Sequence, residues 1–150
     1  MATGTGTRTV DIAHELFEVV TQICLSTLRG RRRLGDLKEI EFYTLSLLQE
    51  RGTMIVGDIQ RVLGVLPAQM SRIIRSLETR PGPMISCRIN PNDKRKIDVR
   101  MTEAGEKALM EYEAVRVRRI AELLQDLSDD EQSGLVHLLE RVRGLLERTR

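Results

Sequence analysis

The apolar period of this chain changes from 3.6 to 2 across Pro81-Gly82-Pro83. Before the break, Met70, Ile73, Ile74 and Leu77 fall at i, i+3, i+4 and i+7, one buried stripe of a helix. After it, Ile85, Cys87 and Ile89 alternate with Ser86 and Arg88, and Ile97, Val99 and Met101 alternate with Asp98 and Arg100. Between the two runs lies Asn90-Pro91-Asn92-Asp93-Lys94-Arg95-Lys96, rich in turn formers and charge. The spacing predicts a helix followed by a two-stranded hairpin with one apolar face and a basic tip. An isolated hairpin is only marginally stable, so its apolar face must lean on helices.

The helices are predicted on either side. Residues 1–9 are Gly/Thr-rich without periodicity and read as a mobile arm. A helix with a broad apolar surface starts at Thr9–Val10 and ends at Gly30 and the Arg31-Arg32-Arg33 run. A second helix covers Leu37–Glu50, with Ile40, Tyr43, Thr44, Leu47 and Leu48 as its inner face, and a short third covers Ile55–Leu63. Gly64 suits a C-cap and Pro67 the first turn of the next helix. Thr102 is placed to cap a helix whose first turn holds Glu103 and Glu106, and Ser128-x-x-Glu131 is a capping box opening the last one.

Composition narrows the function. At 41% hydrophobic and 31% charged, the chain is too apolar for wholesale disorder. No apolar run reaches membrane-span length and no secretory signal opens the chain, so a cytoplasmic location is expected. Two Cys and two His offer neither a disulfide framework nor a four-ligand zinc site, and no metal or other cofactor is expected. Four aromatic residues are too few for a single-strand binder that stacks bases. No phosphate loop, nucleophile elbow or paired loop carboxylates point to an enzyme.

Charge is uneven. Residues 67–100 carry eight basic against three acidic side chains, net +5, whereas residues 1–66 are neutral and 101–150 are net −3. A polyanion is steered to that third quarter. A polar-faced helix fits the major groove of duplex DNA, and a basic hairpin loop can reach the adjacent minor groove. The expected fold is mainly α with a small β-hairpin wing, a winged helix-turn-helix with terminal dimerisation helices.

The run from Asn90 through Asp93-Lys94-Arg95 to Met101-Thr102-Glu103-Ala104-Gly105 resembles the wing signature of MarR-family transcriptional regulators. Ser71-Arg72-Ile73-Ile74-Arg75-Ser76-Leu77-Glu78 resembles the end of that family's recognition helix. The resemblance spans about residues 10–148. It implies a homodimer that binds a pseudo-palindromic operator in double-stranded DNA, usually as a repressor, and a small aromatic effector as a further partner. It divides the chain into a flexible arm (1–9), a dimerisation region (10–36 and 102–150) and a DNA-binding lobe (37–101).

By the same resemblance Arg95 is the wing-tip arginine of the minor groove and Asp93 its orienting partner, while Gln69, Ser71 and Arg72 face the major groove. The full DNA-facing set is Pro67, Ala68, Gln69, Ser71, Arg72 and Arg75 on the helix and Asp93, Lys94, Arg95 and Lys96 on the wing. Two features depart from the family pattern. Leu66 stands where a capping Asp or Ser is usual, and Pro81-Gly82-Pro83 stands where a single Gly is usual. Arg31, Arg32 and Arg33 are placed either on flanking phosphate or at a solvated helix end. Two alternatives stay open: a winged-helix protein-interaction module, and a thiol-based redox sensor using Cys24.

Overall fold

The computed structural model describes residues 4–28 and 37–149, with side chains over 8–26 and 37–149. The element order is α1 (Gly4–Leu28), α2 (Glu39–Arg51), β1 (Met54–Ile55), α3 (Val56–Leu63), α4 (Pro67–Glu78), β2 (Ile85–Ile89), β3 (Ile97–Met101), α5 (Glu103–Leu124) and α6 (Asp129–Arg148). The chain forms two compact units, one from residues 1–31 with 116–150 and one from 32–115.

The second unit is the winged helix-turn-helix. Its core is built from Leu45 and Leu48 of α2, Ile59 of α3, Met70, Ile73 and Leu77 of α4, Ile85 and Val99 of the hairpin, and Leu109 of α5. The stripe expected on α4 is therefore the one that packs. The hairpin pairs Ile85 with Met101, Cys87 with Val99 and Ile89 with Ile97. Its apolar face is covered at the base and emerges at the tip, where Ile89 and Ile97 are exposed.

Several boundaries differ from expectation. The wing sheet has three strands in the order β1-β3-β2, because Met54 and Ile55 pair with Val99 and Asp98 before α3 begins. This short strand satisfies backbone groups that β3 would otherwise leave open on its second edge. The inner face of α2 is Glu41, Thr44, Leu45 and Leu48, and Tyr43 is exposed. The stripe is turned because Glu41 points inward to partners described below.

Helix α1 begins at Gly4, so the arm expected over residues 1–9 is helical from its fourth residue. Once the apolar segment has nucleated a helix, each further residue gains a bond at modest cost, and the helix runs back into weak helix formers. The first half of α5 packs with the lobe through Leu109 and through Tyr112, whose ring stacks on Phe42 at 4.4 Å. The compact unit 32–115 thus includes the first half of α5.

In the first unit, Arg119 Nη1 on α5 donates to the Ser26 carbonyl on α1 at 3.4 Å. Helix α6 opens with the expected capping box: the Ser128 backbone N–H donates to Glu131 Oε2 at 2.8 Å, and the Glu131 N–H to Ser128 Oγ at 3.4 Å. None of its residues is buried, and Leu138, Leu139, Leu145 and Leu146 are each more than half exposed. On α1, Leu16, Phe17 and Leu25 are likewise exposed. No helix among the described residues is long and apolar enough to cross a membrane.

Candidate nucleic-acid interface

Helix α4 is delivered by a tight turn. Gly64 closes α3 in the left-handed region (φ 64, ψ 28), a conformation that favours glycine, and its N–H donates to the Gln60 carbonyl. Pro67 then occupies the first turn of α4. Leu66 precedes it without a side-chain cap, and its carbonyl accepts from Met70 N–H at 2.9 Å. Burial of Met70, Ile73 and Leu77 turns Pro67, Ala68, Gln69, Ser71, Arg72 and Arg75 to solvent. Ser71 Oγ donates back to the Pro67 carbonyl at 3.1 Å, so this hydroxyl offers outside partners an acceptor.

The far end of α4 is held by a residue that sequence reasoning missed. Glu41 of α2 is 1% exposed. Its Oε1 accepts from Ser76 Oγ at 2.6 Å, and its Oε2 accepts from Arg80 Nη2 at 2.6 Å and from Lys38 N–H at 2.8 Å. A buried carboxylate so bonded costs far less than an unpaired one. Spacing with Thr44, Leu45 and Leu48 was the available signal, since an acid on an apolar stripe requires a cationic partner.

The wing leaves α4 through a second set of bonds. Met84 N–H donates to the Leu77 carbonyl at 2.9 Å, and Thr102 N–H to the Met84 carbonyl at 3.1 Å. Thr102 Oγ donates to the Pro83 carbonyl at 2.6 Å and accepts from Gly105 N–H at 3.2 Å, which is the expected cap of α5. Gly105 packs so closely that a Cβ there would overlap the Met84 carbonyl. The end of α4, the base of the wing and the start of α5 are thus tied together.

At the wing tip, Asn90 Oδ1 accepts from the N–H groups of Asn92 and Asp93 at 2.9 and 3.0 Å. Asp93 Oδ1 accepts from Arg95 N–H at 3.1 Å and from Arg95 Nε at 3.2 Å, and Lys96 Nζ lies 3.7 Å from Asp93 Oδ2. The backbone N–H of Arg95, then its side chain, hold the Asp93 carboxyl below its ordinary value. The Arg95 side chain is 90% exposed, with Nε anchored. Lys94 is exposed beside it.

These elements carry the comparisons. The MarR family model matches residues 37–97. The HTH-type transcriptional regulator YkoM of Bacillus subtilis is 32% identical over 137 residues, covering 88% of this chain and 86% of YkoM. The chain belongs to the MarR family. This is a family of transcriptional regulators.

Two further relatives of the MarR-family chain align over shorter stretches. The HTH-type transcriptional repressor NicR of Pseudomonas putida is 28% identical over 108 residues, 71% of this chain and 66% of NicR. The regulator YdgJ of Bacillus subtilis is 28% identical over 100 residues, 67% of this chain and 60% of YdgJ. In fold, the transcriptional regulator Tm0710 from Thermotoga maritima matches with a TM-score of 0.73 at 21% identity, over 93% of this chain and 96% of that one. BpsR of Bordetella bronchiseptica, whose DNA binding is regulated by 6-hydroxynicotinic acid, matches with a TM-score of 0.61 at 19% identity, over 89% and 98%.

The remaining sequence candidates lie elsewhere. Cys24 is exposed on α1, in the other unit. Cys87 is partly buried, and burial, followed by the Glu78 carboxylate, pushes its thiol up to about 11, which keeps it unreactive. His14 and His137 are exposed on α1 and α6. Arg31, Arg32 and Arg33 lie outside the described residues.

Proposed function

We propose that this MarR-family chain is a cytoplasmic homodimeric repressor that binds a pseudo-palindromic operator in double-stranded DNA. Helix α4 presents Gln69 and Arg72 to base edges in the major groove, where Gln suits adenine and Arg suits guanine O6 and N7. Pro67, Ala68, Ser71 and Arg75 line the same approach. The wing carries Arg95 into the minor groove, with Asp93 orienting it and Lys94 and Lys96 adding positive potential. The observation that carries this reading is the Asp93–Arg95 arrangement at the exposed tip of a wing tied to α4.

The exposed apolar residues of α1 and α6 support the dimer, because a monomer rarely leaves so many large apolar side chains uncovered on two helices. Two recognition helices then address half-sites about 34–36 Å apart. The repressor sense follows NicR. Release by a small aromatic effector follows BpsR, and acts by favouring one spacing of the two recognition helices over another. Selection of bound sequences from random duplex DNA tests the whole reading: an enriched inverted repeat is the expected product, and no enrichment ends it.

A second reading rests on the exposed thiol of Cys24. In a thiol-sensing regulator, peroxide treatment raises the mass at Cys24 and lowers DNA affinity together. Loss of DNA binding with Cys24 unmodified removes this reading.

A further inference from the structure

The outer face of the wing sheet carries two cations that the recognition helix and the wing tip do not use. In the β2–β3 register Arg88 stands opposite Asp98, and Arg100 stands opposite Ser86. Directly opposed residues share a face, and diagonal neighbours sit about 7–8 Å apart. Arg88 and Arg100 are such a diagonal pair, both exposed. Arg100 Nε donates to Thr53 Oγ at 3.4 Å, and its terminal nitrogens make no ion pair among the described residues.

Among the described residues neither arginine enters an ion pair. The one carboxylate on this face, Asp98, accepts from Asn90 Nδ2 at 2.8 Å and so serves the loop that carries Arg95. Thr53, Ser86, Asp98 and the two arginines line a groove of about 300 Å³ that also reaches Pro91 of that loop. Two guanidiniums outside any ion pair, set against the single Asp98 carboxylate and beside two hydroxyls, leave this groove net positive and form a donor set for phosphate oxygens.

We infer that Arg88 and Arg100 bind the phosphodiester backbone bordering the minor groove that Arg95 enters. This rests on the DNA-binding reading above and extends it from the loop onto the strands. The pair positions the wing and reads no base, so its contribution is independent of sequence.

The test is duplex affinity against salt, by fluorescence anisotropy between about 50 and 200 mM. The wild type, R88Q/R100Q and R88K/R100K are each measured on a selected operator and on unrelated duplex. The slope of log affinity against log salt becomes shallower by about 0.9 for each phosphate that R88Q/R100Q no longer neutralises. The fall in affinity is equal on both duplexes, and R88K/R100K restores most of the slope. A glutamine variant that keeps the wild-type slope, or loses affinity on the operator alone, overturns the inference and leaves DNA binding standing. A wild type without salt-dependent duplex binding overturns the DNA-binding reading and this inference with it.

Discussion

Arg80 Nη2 donates to Glu41 Oε2 across 2.6 Å, joining the segment that follows α4 to a carboxylate buried within α2. The same carboxylate accepts from Ser76 Oγ. Removing one partner of a buried pair leaves the other desolvated and unsatisfied. Glu41→Ala is expected to lower stability by about 3 kcal/mol, toward the lower end of the range because Arg80 retains some access to water. Urea unfolding measures it. A loss within the scatter of ordinary surface substitutions, about 0.5 kcal/mol, contradicts the assignment.

At the wing tip, the sign of the pH dependence follows from the direction of the Asp93 shift. Its carboxyl is held below the ordinary 3.8, chiefly by the Arg95 N–H. A lowered folded-state value means the ionised form is the one bonded in the fold. The Asp93–Arg95 pairing is therefore intact above the ordinary carboxylate range and breaks as pH falls through the lowered value. The Arg95 Nε–H resonance followed by NMR is expected to titrate with a midpoint below 3.8. A midpoint at or above that value removes Asp93 as the orienting group.

How far the lobe was legible depends on the distance over which each signal acts. The α4 stripe, the Gly64 cap, the hairpin alternation and the Thr102 cap are local patterns, and each appears where its residues predict it. Glu41 was not placed because its partner Arg80 lies 39 positions away, and a charged side chain ordinarily reads as solvated. Strand β1 escaped because two residues show no alternation. The Asp93–Arg95 contact is the one its resemblance to a known signature implies, whereas Arg88 and Arg100 appeared only as polar members of the alternating strands. Their common face requires the register of β2 with β3.

Gly105 belongs to the same signature, and packing gives the physical reason. A Cβ at this position overlaps the Met84 carbonyl and crowds the Met101 side chain. Met84 accepts from Thr102 N–H there, so the backbone has little room to retreat. Gly105→Ala is expected to cost about 1–3 kcal/mol as an overpacked site, despite the better helix propensity of alanine. Thermal unfolding reads the change. An unchanged or raised midpoint shows that the wing base yields without cost.

The terminal helices make the dimer testable without touching the lobe. Leu138 and Leu145 of α6 are two helical turns apart on one face, and both are more than half exposed. Neither contributes to the core built around Leu45, Ile59 and Leu77. A paired apolar face tolerates charge poorly, because an unpaired carboxylate must be desolvated at the interface. L138E/L145E is therefore expected to run at half the wild-type mass in light scattering at micromolar concentration. Its affinity for a single half-site should persist while affinity for the full inverted repeat falls steeply, since two tethered binding events become two independent ones. Equal masses for variant and wild type would exclude this face of α6 from the interface.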